Sequence, residues 1–561
     1  MAYTIGLDYG TNSVRCLIVD VATGAEPGTA VYEYETGQAG IIIDPADHNL
    51  ARQNPADYIK GVKVTVNEAI SLAKEADKTF DPNEVIGIGI DTTGSTPIPV
   101  NKDGTPLSML EEFKDNPNAH AWLWKDHTGH AEAAEITALA SDKHPEYLAK
   151  CGGIYSSEWF FSKILHCLRT DPEVFKAARS WVECCDYIPA LLTGATAPEM
   201  IKRSRCAAGH KAMFNNQWAG LPAKKFLAKL HPELGALRDR LYEKTYTVQT
   251  RAGKLTQKWA GDLGLPAGIP VAVGAFDAHL GAVGSGIAPG KLVKIIGTST
   301  CDMLVSESSR DLADIPGICG IVDGSILPGF FGLEAGQSAV GDIFNWFVNH
   351  IQPGGLEAGS HETLTEKATN LKPGQSGLLA LDWNNGNRTV LVDQRLTGLL
   401  IGQTLHTRPE EIYRALIEAT AFGALTIINR FEQYGVEVAE VVNCGGIAEK
   451  NPLLMQIYAD VTGREMKISR SAQSCALGAA ITGAVVAGKQ AGGYDDFADA
   501  QKAMCGIKQT TYKPVAANHR VYRQLYLLYK QLHDAFGTNQ WSGKLANVMK
   551  ELLNIKDGTN A

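Results

Sequence analysis

The clearest chemistry in this sequence is a carboxylate set at the end of an apolar run and followed by glycines. Asp277 stands in Val273–Gly286 (VGAFDAHLGAVGSG), with His279 and a glycine-rich path after it. Downstream, Leu292–Leu304 (LVKIIGTSTCDML) reads as a strand opening into a small, hydroxyl-rich turn. A carboxylate so placed can take a proton from an alcohol, and a turn of small residues can hold phosphates on its backbone N–H groups. Near the start, Tyr3–Leu7 is apolar, Asp8-Tyr9-Gly10-Thr11-Asn12-Ser13 is polar, and Val14–Val19 is apolar apart from Arg15 and Cys16. That pattern predicts a β-hairpin whose tip offers closely spaced donors to a phosphate, with Asp8 in reach of a hydrated Mg²⁺. A plain polar hairpin would carry the same pattern. Neither GxxxxGK[ST] nor GxGxxG occurs, so P-loop and Rossmann readings have no support.

The intervening elements must bring these residues together. Pro55–Ala76 predicts an amphipathic helix, and Glu84–Asp91 (EVIGIGID) a buried strand running into Thr92–Pro97. Ligands of open α/β sheets collect at strand carboxyl ends, so this turn is a candidate substrate wall; a hydroxyl-rich loop without a ligand is the alternative. Ala121–Thr128 (AWLWKDHT) alternates aromatics with polar groups, which suits a sugar and equally a half-buried strand. Gly152–His166 offers serine N-caps before an aromatic helix, and Asp186–Gly194 a helix ending at a glycine. Arg203–Lys211 reads as a loop with Lys211 at its far edge, where a lone lysine is usually a surface charge. Leu221–Tyr242 is rich in helix formers, and Val441–Asn451 is a strand ending in a double glycine before a helix. Two strand–turn units near the starts of two halves suggest an internally duplicated fold around a cleft.

Composition agrees with that scale. A chain of 561 residues exceeds one hydrophobic core and should split into at least two large domains. With 45% apolar and 20% charged residues it reads as globular, and a formal charge of −9 argues against nucleic acid or an anionic membrane as partner. The eleven cysteines are scattered without a CxxC pair, which predicts reduced thiols in a cytoplasmic protein. The start, MAYTIGLDYG, lacks the charge and apolar stretch of a signal peptide. Ser471–Gly488 carries no charge, but its small residues predict a helix packed inside the protein rather than across a membrane.

Taken in order, IGLDYGTNSVR, DTTGST, WLWKDHT, SSEWFFSKILH, DYIPALLTG, GAFDAHLGAVG, IIGTSTCDML, GNRTVLVDQRLTGLLIG, ALIEATAFG and NCGGIAEKNPLLMQIYADVTG resemble the FGGY carbohydrate kinases of the actin-like ATPase superfamily. The resemblance runs from residue 3 to about 490. It implies an α/β fold of two duplicated ribonuclease-H-like domains around a central catalytic cleft. Residues 1–284 would form the sugar-binding domain, 285–534 the nucleotide-binding domain and 535–561 a helical or loose tail. Segments such as GGIYSSEWF, RCAAGHK and GLEAGQS match the branch of that group that acts on L-ribulose. The resemblance implies ATP and Mg²⁺, with transfer to the terminal O5 of L-ribulose, and of other 2-ketopentoses, in arabinose catabolism.

By that resemblance Asp277 is the general base, and Ser95, Thr96, Lys211, Asp277 and Glu334 hold the sugar, with Trp124 and Asp126 nearby. Phosphates would lie against Gly10, Thr11, Asn12 and Ser13 and against Gly297, Thr298 and Ser299. Adenosine would lie against Gly445, Gly446, Ala448 and Asn451, and Asp8 would hold the metal. A homodimer is expected. Lys211 and Glu334, in opposite domains, would make closure of the cleft depend on the sugar. Two departures stand out: Val390 replaces the proline of the family's G-x-R-T-P segment, and Gln403 an aliphatic; both are expected away from the chemistry. A kinase for xylulose, ribitol or glycerol is the main alternative. A non-catalytic sensor, filament or chaperone ATPase is opposed by the joint presence of Asp8, Asp277, the Gly297–Ser299 turn and Lys211.

Overall fold

In this computed structural model residues 1–309, 312–353 and 359–560 are described. The predicted hairpin forms the centre of the first sheet: β1 (Tyr3–Tyr9) and β2 (Ser13–Asp20) pair antiparallel, and β3 (Gly28–Glu33) extends the meander. Helix α1 (Pro55–Ala76) has the predicted bounds, is capped by the Asn54 side chain, and buries Val62, Val66 and Ala69 beside β2 and β3. β4 (Val85–Thr92) returns parallel to β1, which sets Asp91 directly beside Asp8. Two later strands, β5 (Arg251–Lys254) and β6 (Pro270–Ala272), complete the order β5-β6-β4-β1-β2-β3, and Ala275–Phe276 adds a short pairing to β4.

The second sheet repeats this grammar. β7 (Lys291–Ile296) and β8 (Thr300–Glu307) form a hairpin; β9 (Gly320–Asp323) and β10 (Phe330–Ala335) extend it antiparallel. β11 (Glu440–Cys444) lies parallel to β7, as β4 does to β1, followed by β12 (Met466–Ser469) and β13 (Ile507–Tyr512). The matching directions of pairing establish by topology the duplication that no sequence identity reveals.

The halves are joined through two helices of small residues. α2 (Asp277–Gly284) follows the first sheet, and α3 (Ser474–Ala487) is the uncharged helix expected inside the protein. α3 lies on β1 and β4 of the other half, so closely that a Cβ on Gly6 would sit 1.8 Å from the Ala476 carbonyl oxygen. It also crosses α2, where a Cβ on Gly478 would meet the Leu280 carbonyl oxygen at 1.7 Å. Only glycine permits backbones that near, and the packed interior leaves no room for adjustment. Among the described residues no helix is long and apolar enough to cross a membrane.

Three local expectations change. The serines of Gly152–His166 do not cap the aromatic helix: Phe160–Thr170 begins after Trp159 without a side-chain cap, and the Ser156 hydroxyl accepts from the Glu158 N–H in the turn before it. Arg203–Lys211 is not a loop, because Ser204 caps a short helix over Arg205–Lys211 and buries Lys211 at its end. Ala121–Thr128 is a strand only at Ala121–Trp122, then turns. In the segment from 535 the helix Val548–Asn560 is docked: its Val548 and Leu552 are buried in the core of the second half.

Candidate active site

Asp277 is the first residue of α2 and points into a cavity of about 180 Å³ between the halves. The walls include Thr11, Ser95 and Trp124 from the first half and Ser299, Glu334 and Arg388 from the second. Burial pushes the Asp277 carboxyl up to about 7, and the charge of Asp8 adds to it, while the Ala278 N–H and Lys211 pull the other way. A carboxyl poised near neutrality is able to accept a proton at neutral pH.

Across the cavity Lys211 Nζ donates to both Glu334 oxygens, at 3.0 and 3.1 Å. Burial alone would raise the Glu334 carboxyl; the Lys211 ammonium beside it overcomes this and holds it well below the usual carboxylate range. Lys211 is 8% exposed, so the surface-charge reading fails, and its ammonium also lies 5.3 Å from the Trp159 ring centre. The pair bridges the two halves directly.

Two turns face each other over this space. In the β1–β2 turn the Gly10 N–H is spent on Ser13 O, and in the β7–β8 turn the Gly297 N–H is spent on Ser299 O. Among the described residues the N–H groups of Thr11, Asn12, Thr298 and Ser299 make no hydrogen bond within the protein. Thr11 and Ser299 line the small cavity, whereas Gly297 and Thr298 line a neighbouring cavity of about 750 Å³. Paired free donors from opposite sides form an anion cradle. Ser13 is buried as the first residue of β2, and the Asn12 amide donates to Ala39 O. In the large cavity Gly446 and Asn451 are lining residues; Asn451 also caps Pro452–Thr462 by accepting from the Leu454 N–H. Gly445, at φ +93°, is the turn itself, and Ala448 is buried behind it.

The residues at the strand ends fit a hard divalent cation such as Mg²⁺. Asp91 is fully buried with neither carboxylate oxygen hydrogen-bonded, and Asp8 beside it accepts from Arg15 at 3.0 Å. The donor set is all oxygen, which suits Mg²⁺ better than softer metals.

Two residues expected near the sugar stand elsewhere. Asp126 is fully buried in a structural network, accepting from Arg52, from the Ala51 N–H and from the Thr128 hydroxyl, and it does not reach the cavity. Thr96 donates its N–H to Glu183 and shares its hydroxyl with Thr93, so it positions Ser95 rather than lining the cavity. Val390 itself lines neither cavity, although Arg388 two residues before it lines the small one and Thr389 accepts from the Gly336 N–H at 3.0 Å. Val390 sits at φ +120°, which a proline ring fixed near about −65° cannot reach. Gln403 is exposed and lines neither cavity.

Sequence reasoning missed Arg388, Glu158, Trp159, His210, His279, Asp91 and Lys163. Most lie inside recognisable motifs, but nothing in their spacing says that Arg388, Glu158, Trp159 and His279 line one cavity. Lys163 carries no such signal at all, since it sits mid-helix among aromatics; its ammonium is fully buried and donates to the carbonyls of Ser95, Leu123 and Trp122.

Comparison with known proteins agrees with this architecture. The N-terminal domain of the FGGY family of carbohydrate kinases matches residues 3–284, and its C-terminal domain matches residues 292–487. The chain is 45% identical to a ribulokinase of Bacillus licheniformis over 97% of this chain and 98% of that one. It is 42% identical to a ribulokinase of Shouchella clausii, over 99% and 98%. Among solved structures a xylulose kinase from Rhodospirillum rubrum superposes with a TM-score of 0.74 at 23% identity, over 95% of this chain and 98% of that one, which shows the shared fold.

Proposed function

This chain belongs to the FGGY family of carbohydrate kinases, and from that premise we propose that it transfers the γ-phosphoryl group of ATP to the O5 hydroxyl of L-ribulose, giving ribulose 5-phosphate and ADP in arabinose breakdown. The observation that carries the reading is the position of Asp277 between the Lys211–Glu334 pair and the two turns with free N–H groups. The similarity to ribulokinases supports the choice of sugar.

Lys211, Glu334 and Ser95 orient the ketopentose, Trp124 offers it an apolar face, and Asp277 accepts the proton of the terminal hydroxyl. As the O5–phosphorus bond forms, the bond from phosphorus to the β–γ bridging oxygen breaks and ADP leaves with that electron pair. The N–H groups of Thr11, Asn12, Thr298 and Ser299 stabilise the charge on the moving phosphoryl group, which is where most of the acceleration arises. Asp8 and Asp91 would hold Mg²⁺, which supplies charge neutralisation to the phosphate oxygens. Contact between the halves over the cavity excludes water, the competing acceptor.

A coupled ADP-release assay over L-ribulose, D-ribulose, xylulose, ribitol and glycerol tests the reading. The highest kcat/KM should fall on L-ribulose, with other 2-ketopentoses next. Preference for a polyol, or ATP turnover that ignores the sugar, would overturn it.

A further inference from the structure

Three buried electron-pair donors converge on one side of the small cavity from three separate elements. His210 Nδ1 lies 3.3 Å from Glu334 Oε2, and His279 Nε2 lies 3.6 Å from the same oxygen. One ligand atom from each of the three residues lies within 4.8 Å of one from each of the others. Neither contact is a hydrogen bond. Ser325 Oγ donates to the Val322 carbonyl at 3.1 Å and stands 3.0 Å from His210 Nε2. A hydroxyl that gives its hydrogen to Val322 can accept from an imidazole N–H at Nε2, which leaves Nδ1 a lone pair toward the carboxylate. His279 is 2% exposed, and neither ring nitrogen has a hydrogen-bond partner. One added proton could bridge His210 to Glu334 but would leave His279 orphaned, at the desolvation cost of an unsatisfied buried group. A cation at the centre satisfies all three.

We propose that His210, His279 and Glu334 form a binding site for a borderline-soft divalent cation of the zinc class, and that filling it excludes the sugar. Tetrahedral bonds of about 2.0–2.2 Å to nitrogen and oxygen place ligand atoms about 3.3–3.6 Å apart, the spacing found here for both histidine–carboxylate pairs. Two imidazoles and one carboxylate leave a fourth position, and His279 and Glu334 both face the cavity. The nitrogen donors select against Mg²⁺, and Ser325, 3.0 Å from His210 Nε2, stands where an outer partner stands in metal sites. Lys211 shares the Glu334 carboxylate, so the ammonium and the ion compete for it and cannot both hold it well. The inhibitory half of the proposal rests on the cavity being the sugar's; the binding half does not.

Titration of the purified full chain with Co²⁺ alone should give one equivalent with the visible bands of a four-coordinate ion, displaced by Zn²⁺. Zn²⁺ should inhibit the kinase competitively with the sugar and not with MgATP. His210→Gln should abolish binding without changing the thermal midpoint. Lys211→Met should tighten binding at least about tenfold, because a positive neighbour is removed. The last result separates this site from a surface site even where His210→Gln fails to fold. Absence of stoichiometric binding overturns the proposal, as does affinity unmoved by Lys211→Met. Binding that follows both variants but leaves sugar kinetics unchanged overturns the sugar reading of the cavity and leaves the ion site standing.

Discussion

Asp277 is buried in the cleft near Asp8 and Glu334, and burial first, with the charge of Asp8 adding to it, sets what its proton does. A carboxyl raised to about 7 is protonated, and idle as a base, in acid. kcat/KM for the sugar should therefore rise with pH through about 7 and level off above it. Asp277→Asn should lower kcat by roughly 10²-fold or more, leave sugar binding largely intact and flatten that limb of the profile; near-normal turnover would remove Asp277 as the base. Lys163 offers a second test at this scale. It ties the Ser95 carbonyl to the carbonyls of Trp122 and Leu123, and Ser95 itself sits at φ +39° with its hydroxyl on Glu183. One buried cation thus joins two walls of the cavity. Lys163→Met removes the donor those buried carbonyls share and should cost at least about 1–3 kcal/mol of stability. Steady-state kinetics on the folded fraction should show KM for the sugar raised several-fold with KM for ATP unchanged.

Among the elements, the strands and long helices were legible because their periodicity is strong. Tyr3–Tyr9 is buried throughout, and Pro55–Ala76 carries an Asn cap and a proline in its first turn. The chemistry of Asp277 and of the two turns was legible for a similar reason: small and charged residues end apolar strands at three points. What was not legible depends on contacts between distant segments. Asp126 looked like a sugar ligand because the sequence does not show that Arg52 meets it, and Lys211 looked exposed because Glu334 is in the other half. The helix over Arg205–Lys211 is seven residues long, too short to show periodicity, and rests on the Ser204 cap. The α2–α3 crossing tests how far element packing is set by glycine. Gly478→Val should destabilise the protein by at least about 1–3 kcal/mol, since the new Cβ would fall on the Leu280 carbonyl oxygen. A thermal midpoint equal to wild type would show that the crossing has slack.

For the whole molecule, the Lys211–Glu334 pair is a contact between halves, so its charge balance bears on their separation. Small-angle scattering should show compaction when L-ribulose and a non-hydrolysable ATP analogue bind. Glu334→Gln should blunt it, since a neutral amide no longer holds the ammonium; equal compaction in the variant would place the closing force elsewhere. The crossing of α3 onto the first sheet reaches further, into how the chain is made. On a ribosome β1 emerges long before α3, yet the face that Gly6 presents is covered only when Ala476 arrives. The nascent first sheet must keep an apolar surface uncovered for most of translation, the condition under which long-range topologies fold slowly and aggregate. A chain stopped after residue 284 should be released insoluble or chaperone-bound, and a co-expressed second half should recover it, making the order of synthesis a constraint on this fold as real as any contact within it.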